Sequence, residues 1–385
     1  MSKRRTCVPI VALLMSIALV LPVAIRCSAE ETPGVASACV GFRSGFALLK
    51  DGSVWGWGAN FNGKLGDGTG IDRTTPVRLA MTDVKSIAGG RAHTIALKND
   101  GTVWAWGSND RGQLGDGTTE DRISPVQIAG LTDVVAISSG LLHNLALKKD
   151  GTVWAWGRNH FGQIGDGTEV DRVTPVQVKG LSDVIHVSSG QYHSLALTSD
   201  GTVWAWGNNT RGRLGDGSVE NRLNAVRVAD LADVTDISAG RSHNLALKKN
   251  GTVWTWGTNG QSQLGDGTTD DQSRPVQVHA LSEIAEIAAG WDYGMALGKD
   301  GCVYAWGAGG RLGNETSAGN AFPEKVHGLS NVVSIVGGVD HGMAQDKDGS
   351  LWGWGSNSKG QLGDATVERR LAPVRIKVGA LAAQD

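Results

Sequence analysis

Three sets of residues in this 385-residue chain have the type and spacing to do chemistry. The first is a histidine series, His93, His143, His193, His243 and His341, each opening a strand-like segment such as His143-Asn144-Leu145-Ala146-Leu147. The second is a repeated Leu-Gly-Asp-Gly-Thr run with further acids behind it at Asp72, Asp121 and Asp171, similar to part of a calcium loop. The third is a pair of thiols, Cys39 and Cys302. None passes a geometric test. Zinc requires its nitrogens within about 2.1 Å of one ion, whereas groups repeated once per stacked sheet lie about 10 Å apart. Ser44 and Tyr293 also interrupt the histidine series. The Asp-Gly runs lack the alternating ligands and closing Glu of a helix-loop-helix calcium site, and Asp-Gly forms turns unaided. Cys39 and Cys302 belong to copies of a repeat that are not neighbours, so both read as small buried hydrophobes without a disulfide. No Ser-His-Asp or Cys-His grouping stands out, and no carboxylate pair is singled out by spacing. The expectation is a chain with no catalytic residue, no metal and no cofactor, and hence no enzyme.

The regularity that disqualifies these sets is itself the main signal. An Asp-Gly dipeptide (once Asn-Gly) recurs with its Gly at 52, 101, 151, 201, 251, 301 and 349. Composition is skewed by the same copying, with 56 Gly against 9 Pro and 14 Trp against 3 Tyr and 5 Phe. Each copy contains four short strands. In the third, these are Val134–Ser138, His143–Leu147, Val153–Gly157 and Pro175–Val178, with Asp150-Gly151 supplying a tight hairpin turn. Pro at the start of the last suits an edge strand. Trp154 and Trp156 share a face of the third strand while Ala155 leaves the other face flat. The large-small-large order recurs at Trp55-Gly56-Trp57, Trp104-Ala105-Trp106, Trp204-Ala205-Trp206, Trp254-Thr255-Trp256, Tyr304-Ala305-Trp306 and Trp352-Gly353-Trp354. A bulky face on one sheet can then meet the small face of the next, each buried Trp removing roughly 150–250 Å² from water. One such sheet cannot cover both faces alone, and a ring removes the ends that a solenoid must cap. The fold class is therefore all-β, a closed seven-bladed β-propeller with four-stranded antiparallel blades, assigned to residues 30–385.

Residues 1–29 read as a signal peptide. Lys3-Arg4-Arg5 precede an apolar stretch from Val8 to Ile25, and Cys27-Ser28-Ala29 place small residues before a cleavage point at Glu30. The competing reading is an uncleaved anchor, since the stretch has a borderline spanning length. A lipid attachment at Cys27 is disfavoured by Arg26, where such sites want a small residue. Removing these residues takes away Lys3, Arg4, Arg5 and Arg26 and no acid, so the formal charge moves from −2 to −6. An acidic body offers no electrostatic footing for nucleic acid. The expected product is a monomer, secreted or in the cell envelope, with no membrane span once cleaved.

The motifs Gly-x-x-His-x-x-Ala-Leu (Gly140 to Leu147), Trp-x-Trp-Gly-x-Asn (Trp154 to Asn159) and Gly-Gln-Leu-Gly-Asp-Gly-Thr (Gly112 to Thr118) resemble the repeats of the regulator of chromosome condensation family. The resemblance covers the chain after residue 29 and implies a seven-bladed propeller, in agreement with the repeat count. The nuclear branch of that family acts in nucleotide exchange on a small GTPase and binds chromatin through a basic tail. This sequence has neither such a tail nor an insertion between blades that could act as an exchange wedge. Secreted bacterial members include inhibitors that bind β-lactamases with a loop face, so the resemblance implies protein binding outside the cytoplasm.

A feature present in every copy serves the scaffold, so recognition is expected where the copies differ. The two residues between the Gly and the His position vary freely: Phe42-Arg43, Arg91-Ala92, Leu141-Leu142, Gln191-Tyr192, Arg241-Ser242, Trp291-Asp292 and Val339-Asp340. By strand order these turns share one face of the ring. Trp291 is the one Trp outside the repeated pairs, and residue types favoured at binding hot spots single out Trp291, Asp292, Tyr192, Arg91, Arg241, Arg43 and Asp340. A second variable set follows Trp-Gly at Phe61-Asn62, Asp110-Arg111, His160-Phe161 and Thr210-Arg211. The sixth copy is shortened there, at Gly307 to Arg311, and its later loop from Asn314 to Phe322 is irregular. Two functions follow: an extracytoplasmic scaffold binding a protein partner through one loop face, or a propeller that binds carbohydrate or cell wall. Guanine-nucleotide exchange is a third, by family analogy. The sequence leaves open how the termini close the ring.

Overall fold

In the computed structural model, which describes residues 34–379, the strands form seven sheets of four, each with its strands hydrogen-bonded in chain order. The signal-peptide reading of residues 1–29 lies outside the described residues. Blade 1 contains β1 (Val35–Gly41), β2 (Ser44–Leu49), β3 (Val54–Gly58) and β4 (Arg73–Arg78), all paired antiparallel. Blades 2 to 7 repeat this plan over 84–127, 134–177, 184–227, 234–277, 284–325 and 332–376. The first strand of every blade lines a central channel. The fourth is the outer edge, and it begins earlier than the sequence suggests. In blade 3 it runs Arg172–Gln177, so Pro175 lies inside it, and the ladder to the third strand slips between Ala155 and Gly157. An outer edge tolerates both the missing donor and the bulge.

The second aromatic residue of each pair locks neighbouring blades together. Trp57, Trp106, Trp156, Trp206, Trp256, Trp306 and Trp354 are all fully buried. Trp156 of blade 3 packs against Ile95, Leu97 and the small Ala105 of blade 2, as the large-small-large order requires. Its Nε1 donates to Gln113 O in the preceding blade at 3.1 Å, and the other six Nε1 atoms make the same contact, to Lys64, Gln163, Arg213, Gln263, Arg311 and Gln361 carbonyls. The first aromatic of each pair is less enclosed. Trp104, Trp154 and Trp254 are half-buried and carry the ammonium groups of Lys98, Lys148 and Lys248 over their rings.

The histidines run along the same seams. His143 is fully buried, and its Nε2 lies 3.0 Å from Ser194 Oγ in the next blade. Because Ser194 Oγ donates to Gln163 O at 2.9 Å, it is the acceptor for the imidazole N–H. His93 and His193 contact Asn144 and Asn244 in the same way, at 2.8 and 2.7 Å. His243 and His341 have no such partner, because Gly294 and Gly45 occupy the corresponding sites. The preceding glycine of the motif is steric: a Cβ on Gly190 would lie 2.1 Å from His193 Cε1.

The termini do not share a blade. Blades 1 and 7 are each complete, and the ring is closed by contacts between them: Trp57 Nε1 to Gln361 O at 3.0 Å, Gln345 Nε2 to Val35 O at 2.6 Å, and a cluster of Val35, Ala47, Trp57, Met343 and Ile376. Cys39 and Cys302 are free thiols. Cys39, on the channel wall, and Cys302, beside the hairpin turn at Gly301, are both only partly covered, contrary to the buried positions expected of them. Among the described residues no helix is long and apolar enough to cross a membrane.

Two outcomes follow. Trp156→Ala should cost about 3–5 kcal/mol in chemical denaturation, and Trp154→Ala clearly less, since only the former is sealed between sheets. Acid should unfold the ring. Burial pushes His93 and His243 down to about 4 and His143 and His193 to about 3. The unfolded chain therefore binds more protons below about pH 6.5, and stability falls as pH drops through that window, by about 1.4 kcal/mol per unit per group. A melting temperature that is flat between about pH 6.5 and 4 would contradict this assignment.

Candidate partner-binding face

Each first strand rises to its glycine, turns through two residues and returns as the second strand. The first residue of every such turn faces the channel mouth: Phe42, Arg91, Leu141, Gln191, Arg241, Trp291 and Val339 ring a depression of about 160 Å³. Backbone bonds between blades hold this ring, among them Arg91 N to Leu141 O at 3.1 Å, Arg241 N to Trp291 O at 3.2 Å and Trp291 N to Gly338 O at 3.1 Å. Of the residues singled out by type, Trp291, Arg91 and Arg241 are thus brought together.

Across the mouth, Trp291 of blade 6 meets Phe42 of blade 1 edge to face, with ring centroids 5.1 Å apart, over the short Val339 of blade 7. The guanidinium of Arg241 lies 5.2 Å from the Trp291 ring, with Nε 3.4 Å from Gln191 Oε1. Such a cation over an aromatic face is favourable by about 0.5–1 kcal/mol at an exposed site. Trp291 Nε1 is enclosed and has no hydrogen-bond partner among the described residues. Arg91 is exposed and makes no ion pair among the described residues. Below it, the fully buried Lys64 donates to the carbonyls of Phe42 and Arg91 and lies 4.6 Å from the Phe61 ring centroid. Burial pushes its amine down to about 7.

The second residue of each turn points between blades instead. Arg43 pairs with Asp340 across the seam of blades 1 and 7 at 3.4 Å, and Arg241 reaches Asp292 at 3.6 Å. Burial pushes the Asp292 carboxyl above its usual range against the pull of Arg241. Tyr192 packs on Phe161 at 5.3 Å, beneath the guanidinium of Arg158. Arg43, Asp340, Asp292 and Tyr192 therefore support the mouth rather than line it. Phe42 and Gln191 do line it, and hot-spot residue type passed over them; position as the first of the two turn residues was the signal that would have found them.

The second variable set has a similar supporting part. Asn62 Nδ2 donates to Asp121 at 2.8 Å, Arg111 reaches Asp171 at 3.7 Å, Arg211 reaches Asp271 at 3.3 Å, and Lys359 reaches Asp72 at 3.1 Å, each pair joining two blades. The acids of the calcium-like runs are also occupied. Asp67 accepts from Thr69 N, Thr69 Oγ1, Asn60 Nδ2 and Arg73 Nε at 2.7–2.9 Å, and Asp72 accepts from Asn60 N at 2.8 Å.

Seven blades of one four-stranded plan around a channel define a propeller scaffold. The chain belongs to the RCC1-like domain family, whose model matches residues 19–285 and 184–384. Yeast RCC1 (Prp20), in a crystal structure with Kap60 bound, is similar with a TM-score of 0.77 at 24% identity, over 85% of this chain and 84% of that one. Human WBSCR16 gives 0.76 at 26% identity, over 85% and 94%. Prp20p from Saccharomyces cerevisiae, reported with its binding properties to Gsp1p and histones, gives 0.76 at 26%, over 85% and 86%.

Lys64 offers a check on the mouth. An unfolded lysine titrates near 10.4, so between about pH 7 and 10.4 the unfolded chain binds the extra proton and stability rises with pH. Lys64→Gln, the residue most blades carry there, should remove that rise. A variant whose denaturation profile keeps it would show that Lys64 is not the group responsible.

Proposed function

We propose that this chain is an exported propeller scaffold that binds a protein partner at the channel mouth and performs no catalysis. One observation carries the reading: the turn positions free of scaffold duties converge on a single concave site that combines aromatic, cationic and amide groups. Aromatic and arginine side chains set around a depression are the usual anchors of protein interfaces. The site presents the exposed guanidinium of Arg91, which makes no ion pair among the described residues, beside aromatic rings, and this favours a partner that presents a carboxylate beside an apolar side chain. The structural neighbours reported with Kap60, Gsp1p or histones bind proteins too, and the inference to this chain is at that level only. Export rests on the sequence of residues 1–29, and cleavage before Glu30 would leave the mature chain secreted or held in the envelope.

Affinity capture from envelope and culture fractions, run with wild type, Trp291→Ala and Arg91→Glu, tests the mouth. Both variants should lose the partner at least tenfold, in line with hot-spot truncations of about 1.4 kcal/mol or more. A partner retained equally by both variants would place binding elsewhere. Retention of the wild type on a polysaccharide panel, with no protein captured, would favour the carbohydrate reading. N-terminal sequencing of the exported chain should begin at Glu30.

A further inference from the structure

We propose that the Gln191-Tyr192 turn of blade 4 carries a binding site for a tetrahedral dianion, a phosphate monoester or inorganic phosphate, held by Arg213, Arg158 and Arg241. The site shows first as two departures from the repeat. The position whose carbonyl receives the indole N–H of the next blade is Gln in four blades, Lys64 in blade 1, Arg213 in blade 4 and Arg311 in blade 6. The position after each Trp-Gly is Ala, Ser, Asn or Thr in six blades and Arg158 in blade 3. The scaffold uses only the carbonyl of Arg213, which accepts from Trp256 Nε1 at 3.1 Å and Asn244 Nδ2 at 2.7 Å. Its guanidinium is free of that duty.

Arg213 is only 7% exposed, yet it makes no ion pair among the described residues. Its Nε donates to Thr210 O at 3.1 Å. Neither terminal nitrogen finds an acceptor among the described residues, and neither is sealed from solvent. The other two cations at this position are satisfied, Lys64 by the carbonyls of Phe42 and Arg91, and Arg311 by Val339 O at 3.3 Å. Burial, and then the charges of Arg241 and Arg211, push the Arg213 guanidinium down to about 10, with Tyr192 and Asp271 offsetting only part of this. Arg158 lies over the Tyr192 ring, 5.4 Å from its centroid, and its Nε is enclosed without a partner among the described residues. Its Nη2 reaches His160 Nδ1 at 3.4 Å. Arg241 Nε faces Gln191 Oε1 at 3.4 Å. Three guanidiniums thus gather at one two-residue turn.

The acids in reach are already committed. Asp271 accepts from Asn259 N at 2.7 Å and faces Arg211 at 3.3 Å, and Asp292 faces Arg241 at 3.6 Å. Arg213 and Arg158 are left as two positive charges without a counter-ion among the described residues. Guanidinium forks match phosphate oxygens two at a time. A single carboxylate would neutralise one charge and leave the other uncompensated, whereas a phosphate monoester brings about −1.5 to −2 and three acceptor oxygens. Arg241 and Gln191 also line the mouth depression, but the anion site is defined without a partner and does not rest on the mouth reading.

The probe is phenyl phosphate, titrated calorimetrically into the folded chain at constant ionic strength, with inorganic phosphate and dimethyl phosphate, a monoanion of the same geometry, as further ligands. Phenyl phosphate should bind at least about tenfold more tightly than dimethyl phosphate. Arg213→Gln and Arg158→Ser install residues that other blades carry at those positions, so the ring should fold, which thermal melting checks. Each should weaken phenyl phosphate at least about tenfold. The ligand should raise the melting temperature of the wild type and leave that of Arg213→Gln unmoved. Arg91→Gln, on blade 2, should keep the wild-type affinity, so that failure at the mouth and failure here are told apart. Inorganic phosphate bound as tightly as phenyl phosphate would identify a free-ion site, and a preference for phenyl phosphate a site for the ester. Absence of binding at millimolar phenyl phosphate, wild-type affinity in Arg213→Gln, or dimethyl phosphate bound as tightly as the monoester would each overturn the proposal. If Arg213→Gln does not fold, Arg158→Ser decides, with unchanged affinity as the refuting result.

Discussion

The whole ring depends on one contact made seven times: an indole buried between two sheets with its Nε1 bonded to a carbonyl of the blade before. Burying so large a ring is strongly favourable, and an unmet buried N–H would forfeit about 1–3 kcal/mol of that gain. The accepting carbonyl sits in the Gly-Gln-Leu-Gly-Asp-Gly-Thr loop, so the loop must be held rigid. Asn109 does this in blade 2, its Oδ1 taking Leu114 N and its Nδ2 reaching Asp116 and Thr118. The acids that look like calcium ligands are thereby explained as fixings for an indole acceptor. Gln113 O also takes Asn144 Nδ2, and Asn144 Oδ1 faces His93, so the histidine series belongs to the same network.

A lattice this demanding leaves few positions free, and they fall at the two ends of one channel. At the mouth the free positions carry Arg91, Arg241, Phe42 and Trp291; at the far end they carry Asp236 and Glu286. The channel is thus cationic at one opening and anionic at the other, a polarity that the formal charge of −2 conceals.

Most of the fold was legible because the constraint repeats. Copy number, strand order and the stacking role of Trp156 could be read from spacing alone, whereas closure could not. The contacts that close the ring, such as Gln345 to Val35, join residues more than 300 apart in sequence and have no local signature. The site was legible only in part. Sequence variation marked the turns but not which of their two residues faces the channel; Arg43, for example, takes a left-handed backbone conformation, φ 58°, that turns its side chain toward Asp340. Asp236 and Glu286 were also visible as variation, but their place on the channel wall required knowing that the first strand is the innermost. Alternation tells which face of a strand a residue occupies, not which strand lines a channel.

Blade 6 departs most from the others, and its packing argues for specialisation over decay. A degraded repeat would leave voids and unmet polar groups. Here Tyr293, standing where most blades have histidine, is fully buried, donates to His341 O at 2.6 Å and accepts from Gly338 N at 3.1 Å. The shortened loop is tight enough that a Cβ on Gly309 would lie 2.2 Å from Ser317 O. The unmet polar groups in and beside this blade are Trp291 Nε1 at the mouth and, on the blades either side, the imidazoles of His243, whose partner position became Gly294, and His341. The same blade supplies Trp291 to one end of the channel and Glu286 to the other. A blade whose replacement residues are packed and bonded along the seam, and which contributes side chains to both ends of the channel, has been rebuilt around its substitutions.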